Sequence, residues 1–249
     1  MAIQFSYQRI EQAVRNSIRP LLAPGAIRAL RNAAGRLNSV EEAVALAFDF
    51  RWLRIQIAPS QVRSEITQLL KLLASRPPMT VLEIGTYKGG TFFLFSRVAS
   101  PEAMLVSLDL PRDPSGLGYA PWQGRLFRSF ALERQRIELV LADSHQERTV
   151  EQVRQLLNGR SVDFLFIDGG HGYDCVKSDF NLYSPLVADD GVIALHDIVP
   201  GLPDRVGGVP QFWQEIKQKH LVKEFVESWN QGAFGIGVIE NKGTVPDNF

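Results

Sequence analysis

The sequence predicts an α/β fold built on a doubly wound, mostly parallel sheet, and three observations predict it. From Met79 onward, short apolar runs alternate with segments of helical period, which is the pattern of right-handed βαβ units. Two of the runs stop abruptly in an acid and an imidazole, at Ile167-Asp-Gly-Gly-His171 and at Leu195-His-Asp197. Ligands of such sheets bind just beyond the carboxyl ends of the strands. The last two runs are joined by Asn230-Gln-Gly-Ala233, a link short and polar enough for a hairpin, so the final strand is expected to run antiparallel to the others.

In chain order, residues 1–78 read as a helical amino-terminal extension and 79–249 as the sheet domain. Ile3, Tyr7, Ile10, Val14, Ile18 and Leu21 recur at near-helical spacing up to an expected break at Pro24-Gly25. Helices follow at 39–50 and 60–74, with Ser39 before Glu42 and Ser60 near Glu65 as start signals, and Pro77-Pro78 as the stop. Nothing before Pro78 reads as catalytic. Strands are expected at 80–84, 105–108, 137–141, 162–167 and 192–195, with helices at 91–99, 125–134, 146–157 and 175–186. A helix at 210–219 and strands at 221–228 and 234–239 complete a Rossmann-like sheet of seven strands. The Pro/Gly-rich stretches 111–124 and 200–210 read as loops over the carboxyl edge. Phe92, Phe93 and Phe95 read as core, whereas Tyr119 and Trp122, in a long loop, are candidates for an acceptor pocket.

Composition narrows the partners. The 249 residues carry 27 lysines and arginines against 27 acids, so no global basic field recommends nucleic acid and a small-molecule partner is expected. Cys175 is the single cysteine, which excludes an intrachain disulfide and fits a reducing, cytoplasmic setting. No apolar run approaches the roughly 18 residues of a membrane span, and the start lacks a secretory signal pattern, so no stable membrane insertion is expected. The first 38 residues depart from this balance, with six arginines, no lysine and Glu11 as the one acid. A capping or homo-oligomer-forming helix is the expected use of this basic stripe, ahead of interfacial membrane contact or a transit peptide.

The first strand of the sheet domain runs into Val81-Leu-Glu-Ile-Gly-Thr-Tyr-Lys-Gly-Gly-Thr91, a glycine-rich turn that opens a helix. Gly85, Gly89 and Gly90 miss the G-x-G-x-x-G spacing of a pyrophosphate turn, and Glu83 places a negative charge where it would repel phosphate and suit a cationic cofactor end. Leu108-Asp109 ends the second strand, about where an acid holds a ribose diol in these folds. His171 can take a proton from a hydroxyl near neutral pH, with Asp168, or a metal on it, stabilising the alkoxide. Asp168, His196 and Asp197 could also form a mixed oxygen and nitrogen metal site. The alternative for this pair is structural, with Asp197 capping a loop and His196 hydrogen-bonding the sheet edge.

These motifs resemble the class I S-adenosylmethionine-dependent methyltransferases, and most closely the macrocin-type O-methyltransferase and cephalosporin-hydroxylase-like group. The likeness runs in order through Glu83 to Thr91, Ser107-Leu-Asp109, Ala142-Asp-Ser144, Ile167 to Tyr173, Gly191 to Asp197 and Gly208 to Trp213. It implies S-adenosylmethionine as cofactor, with Glu83, Gly85, Thr86, Tyr87, Gly89, Gly90 and Thr91 around its methionine part. Asp109 would then lie at the ribose, Asp143 and Ser144 near the adenine, and Asp168 beside the methyl-transfer centre. It further implies His171 as general base and a divalent metal, magnesium or manganese, on Asp168, His196 and Asp197. At His196 the chain departs from the group, which carries a carboxylate there; imidazole lowers the site's negative charge and shifts preference from magnesium toward manganese, iron or zinc.

The expected function is therefore methyl transfer to a hydroxyl of a small molecule or sugar. A metal-dependent hydrolase built on Asp168, His171, His196 and Asp197, a dinucleotide oxidoreductase and a non-catalytic cofactor-binding protein are the rivals.

Overall fold

The structure, a computed structural model, describes residues 2–112 and 118–240, with side chains from residue 18 onward. Its elements in order are α1 (Ala2–Ala34), α2 (Val40–Asp49), β1 (Arg51–Trp52), β2 (Ile55–Gln56), α3 (Arg63–Ser75), β3 (Thr80–Ile84), α4 (Gly90–Val98), β4 (Met104–Asp109), α5 (Pro121–Arg128), β5 (Arg136–Leu141), α6 (Glu147–Leu157), β6 (Val162–Ile167), α7 (Tyr173–Tyr183), β7 (Val187–His196), α8 (Pro203–Val206), α9 (Val209–Ile216), β8 (Val222–Phe225) and β9 (Ile236–Glu240).

Seven strands form one sheet in the order β5-β4-β3-β6-β7-β9-β8, and β1 pairs with β2 in a separate small hairpin. Pairing is parallel from β5 through β7, while β9 runs antiparallel to both β7 and β8. The order reverses between β3 and β6, so a crevice opens beyond their carboxyl ends. Alternation along β3 shows why both faces are covered. Val81 belongs to the apolar core beneath α4 and α5, which α1, α2 and α3 extend, whereas Leu82 and Ile84 belong to the core beneath α6, α7 and α9.

Several expectations change in detail. The helix expected to break at Pro24-Gly25 continues through Pro20 and Pro24 to Ala34. An interior proline costs a hydrogen bond, but burial of Ala23, Ala26 and Leu30 in the shared core offsets it, while Leu21 of the expected stripe is exposed. The side chains of Ile3, Tyr7, Ile10 and Val14 lie outside the described residues. Ser39 caps α2 as expected, accepting from Glu42 N at 3.1 Å, but α3 starts after Val62 with no side-chain cap, not at Ser60. The helix expected at 125–134 is α5, which starts earlier, at Pro121, where a first-turn proline is tolerated. Residues 200–210 hold α8 and the start of α9 rather than only loop. Tyr119 is fully buried against Phe127, with ring centroids 4.8 Å apart, and Trp122 packs on the same core. Tyr119 is therefore a core residue and not part of an acceptor pocket. Phe92, Phe93 and Phe95 are buried, as expected.

Glu65 ties the amino-terminal helices to the end of the sheet. Its buried carboxylate accepts from Glu227 N and Gln231 Nε2 on Oε1, and from Gly235 N on Oε2, at 2.7–2.9 Å. Polar groups buried this deeply persist because they are hydrogen-bonded, and here the bonds fix the segment entering β9.

Candidate active site

Parallel strands all deliver their carboxyl ends to one edge, and the expected site residues collect there. β3 ends in the glycine-rich turn, whose path is set by close backbone approach. Gly85 has φ +92°, and a Cβ on it would stand 2.0 Å from the Asp168 carbonyl oxygen. Asp109, at the end of β4, holds the turn: its Oδ2 accepts from Thr86 N at 3.0 Å and Tyr87 N at 2.7 Å, and its Oδ1 from Leu110 N at 2.7 Å. Thr86 Oγ1 pairs with Ser107 Oγ at 2.7 Å. Gly89, with φ +85°, opens α4, and Gly90 and Thr91 form its first turn.

Glu83 is wholly buried, and neither of its carboxylate oxygens has a hydrogen-bond partner. Burial pushes its pKa up to about 8, against the weaker opposing influence of the nearby Thr91 and Thr86. A carboxyl whose folded pKa lies above its ordinary 4.5 costs stability once the unfolded chain ionises. Relative to Glu83→Gln, the wild type is therefore expected to lose stability progressively from about pH 4.5 to about pH 8. The loss should reach a few kcal/mol, since one pKa unit is about 1.4 kcal/mol. Thermal melts of the two proteins across that range check this; a constant gap would exclude it.

Asp143 and Ser144 follow β5, one strand beyond Asp109. Asp143 accepts from His145 N at 3.0 Å and Gln146 Nε2 at 3.1 Å, bonds that hold its pKa below the usual carboxylate range. The Ser144 carbonyl accepts from Tyr183 Oη at 2.8 Å. His145 lies between Asp143 and the buried Asp179, 3.4 Å from the latter.

The two strand ends β6 and β7 bring Asp168, His171, His196 and Asp197 into one constellation. His196 Nδ1 is 3.0 Å from Asp168 Oδ1 and 3.4 Å from Asp197 Oδ2, and His171 Nε2 is 3.2 Å from the same Asp197 oxygen. Burial alone would lower the His196 pKa, but the Asp168 and Asp197 carboxylates outweigh it and raise it to about 10. His196 is thus held between two acids, its Nδ1 facing both carboxyl groups. Asp197 is opposed by burial, yet its hydrogen bond to His196 and the two neighbouring imidazoles hold its carboxyl below the ordinary range. Its φ of +63° is strained for a non-glycine residue. Asp197 Oδ1 accepts from Phe234 N at 2.9 Å, so the acid also caps the loop before β9. The His171 carbonyl accepts from Gly208 N at 2.8 Å, which fastens its loop to the start of α9. Its side chain remains 41% exposed, open to a reactant.

Asp168, His171 and Asp197 each present one ligand atom within 4.8 Å of one another, the one such group of three among the described residues. His196 stands outside it, with Nδ1 turned to the two acids and Nε2 buried without a partner. The residue that sequence reasoning missed is Gln61, from the segment before α3. It is buried, and its Nε2 donates to Asp168 Oδ2 at 3.0 Å. Its polarity at the edge of an apolar helix is the only sequence signal, and nothing local ties it to a residue more than a hundred positions away.

Residues 82–198 match the family model of a methyltransferase domain, a span that contains every expected site residue. The transmembrane O-methyltransferase of Homo sapiens is 28% identical over 138 residues, which is 54% of this chain and 44% of that protein. The chain spans about half or less of the length of the curated relatives it matches. Among solved structures, the O-methyltransferase TomG from Streptomyces achromogenes, involved in tomaymycin synthesis and in complex with SAM, is 18% identical with a TM-score of 0.54, covering 84% of this chain and 92% of that one. The O-methyltransferase from Bacillus cereus in complex with SAH is 18% identical with a TM-score of 0.52, covering 92% of this chain and 97% of that one. At this identity the likeness to solved structures is one of fold.

Proposed function

We propose that residues 82–198, which match the family model of a methyltransferase domain, act as a class I, S-adenosylmethionine-dependent methyltransferase domain, and that the chain methylates a hydroxyl of a small molecule or sugar with His171 as general base. The observation that carries this reading is the His171–Asp197 pair beside the glycine-rich turn. With Nε2 directed to Asp197 Oδ2 at 3.2 Å, His171 keeps Nδ1 free to take the acceptor's proton, and Asp197 stabilises the imidazolium that results. Asp197 itself is held by Phe234 N and His196, so the dyad is oriented before any reactant arrives.

The turn fits S-adenosylmethionine better than a dinucleotide. Thr86 and Tyr87 N–H groups, which a pyrophosphate would need, are already given to Asp109, and the Asp109 and Asp168 carboxyl groups stand beside the turn. Bound S-adenosylmethionine supplies a methyl already activated by its sulfonium. The protein's share is then to hold the acceptor in line and remove its proton. Asp109 would hold the ribose, with Asp143 and Ser144 at the adenine. A divalent cation, if used, would sit on Asp168, His171 and Asp197 and supply Lewis-acid stabilisation to the acceptor oxygen, with His171 then a ligand in place of the base. That ligand set also favours the second reading, a metal-dependent hydrolase, whose activity would need metal and no S-adenosylmethionine.

Calorimetric titration with S-adenosylhomocysteine, with and without magnesium or manganese and with NAD as control, tests the reading. Micromolar binding of S-adenosylhomocysteine without NAD binding is expected, and its absence from folded protein would overturn the cofactor assignment. Asp109→Ala is expected to weaken that binding more than about tenfold, the scale of losing hydrogen bonds to a charged group. Unchanged affinity would remove Asp109 from the site.

A further inference from the structure

Gln61 has no part in the dyad or the glycine-rich turn, yet it bonds to Asp168, whose backbone lies against that turn. Only 7% of it is exposed, its Nε2 donates to Asp168 Oδ2 at 3.0 Å, and its Oε1 is buried with no hydrogen-bond partner. The segment leading to it crosses the start of α4, where a Cβ on Gly90 would stand 2.2 Å from the Ile57 carbonyl oxygen. Asp168 in turn touches the glycine-rich turn through its backbone, which donates from its N to the Ile84 carbonyl at 2.8 Å.

A buried carbonyl oxygen left without a donor is costly, and here nothing among the described residues offsets it. Turning the amide over does not relieve it, because an oxygen would then face the Asp168 carboxylate. The two heteroatoms of an amide are about 2.2 Å apart. Oε1 therefore lies within about 5 Å of the Asp168 oxygen that holds Nε2. Two acceptors at that separation, one of them a carboxylate, suit a group with several divergent N–H donors and a positive charge. An ammonium has three such donors, whereas a hydroxyl has one.

On the S-adenosylmethionine reading above, we infer that Gln61 Oε1 and Asp168 together receive the α-ammonium of the cofactor's methionine end, which makes Gln61 a specificity residue of the cofactor site. Gln61 then selects ligands that carry the amino-acid end over those that carry only the nucleoside. Its N–H bond to Asp168 fixes the carboxylate, and its oxygen completes the receptor.

The test compares S-adenosylhomocysteine with methylthioadenosine, which keeps the adenine, ribose and thioether but lacks the amino acid, by calorimetry on the full chain. Gln61→Met is expected to weaken S-adenosylhomocysteine about tenfold, the scale of one hydrogen bond to a charged group, and to leave methylthioadenosine within about twofold. Gln61→Leu carries the same expectation and serves as the test if Gln61→Met does not fold. Equal weakening of both ligands, or no change in either, in whichever of the two variants folds would overturn the inference. Failure of the wild type to bind either ligand would instead overturn the cofactor reading beneath it.

Discussion

Replacing His171 by alanine is expected to lower turnover by about a hundred- to ten-thousandfold, the usual contribution of a positioned general base, while S-adenosylhomocysteine affinity stays near wild type. The two effects separate because His171 contacts Asp197 rather than the glycine-rich turn. A side chain 41% exposed also contributes little to the core, so the variant should fold. Transfer of labelled methyl to a panel of phenols and sugars gives the turnover, and calorimetry gives the affinity. A variant that keeps its turnover would remove His171 from the chemistry. One that unfolds would make the histidine structural, a member of the loop that Gly208 fastens to α9.

The second large effect is expected at Gly85. An alanine there would have to hold φ +92° and place its Cβ 2.0 Å from the Asp168 carbonyl oxygen, nearer than the roughly 3 Å that real Cβ contacts keep. The turn and the end of β6 must then separate by about 1 Å, and a misplacement of that size costs about a hundredfold in catalysis. Strain of this kind adds about 1–3 kcal/mol of lost stability. Because the same backbone contact positions Asp168, binding of S-adenosylhomocysteine should fall together with the melting temperature. Unchanged binding and melting would show that the turn accommodates a side chain and is not the close-approach element described above.

Much of this site was legible in the chain because its parts are local. A strand that ends in Asp168 shows as an apolar run stopped by a polar group, and the glycine-rich turn shows by composition. Strands β3 and β6 were placed to the residue because each is bounded on both sides by turn-forming or charged residues. The edges of α1 and α5 were less legible. Helix α1 runs through two prolines, because the burial of Ala23, Ala26 and Leu30 outweighs a local breaker. Tyr119 sits in a stretch that reads as loop and yet is buried, because the loop folds back onto Phe127.

By itself the sequence determined the order of the seven sheet strands and the main helices between them, the edge of the sheet at which the polar residues would collect, and the chemical character of that edge, acid with imidazole around a glycine turn. Those properties follow from hydrophobic period and from what residues a turn tolerates, and both act over a few positions. Tertiary structure alone decided how the polar groups pair. It placed His196 between Asp168 and Asp197, turned Asp197 toward both His171 and the loop before β9, and brought Gln61 onto Asp168. These partners come from strand ends and a connecting segment far apart in the chain, and hydrogen bonding in a low-dielectric site depends on distances of 3 Å that no local pattern encodes.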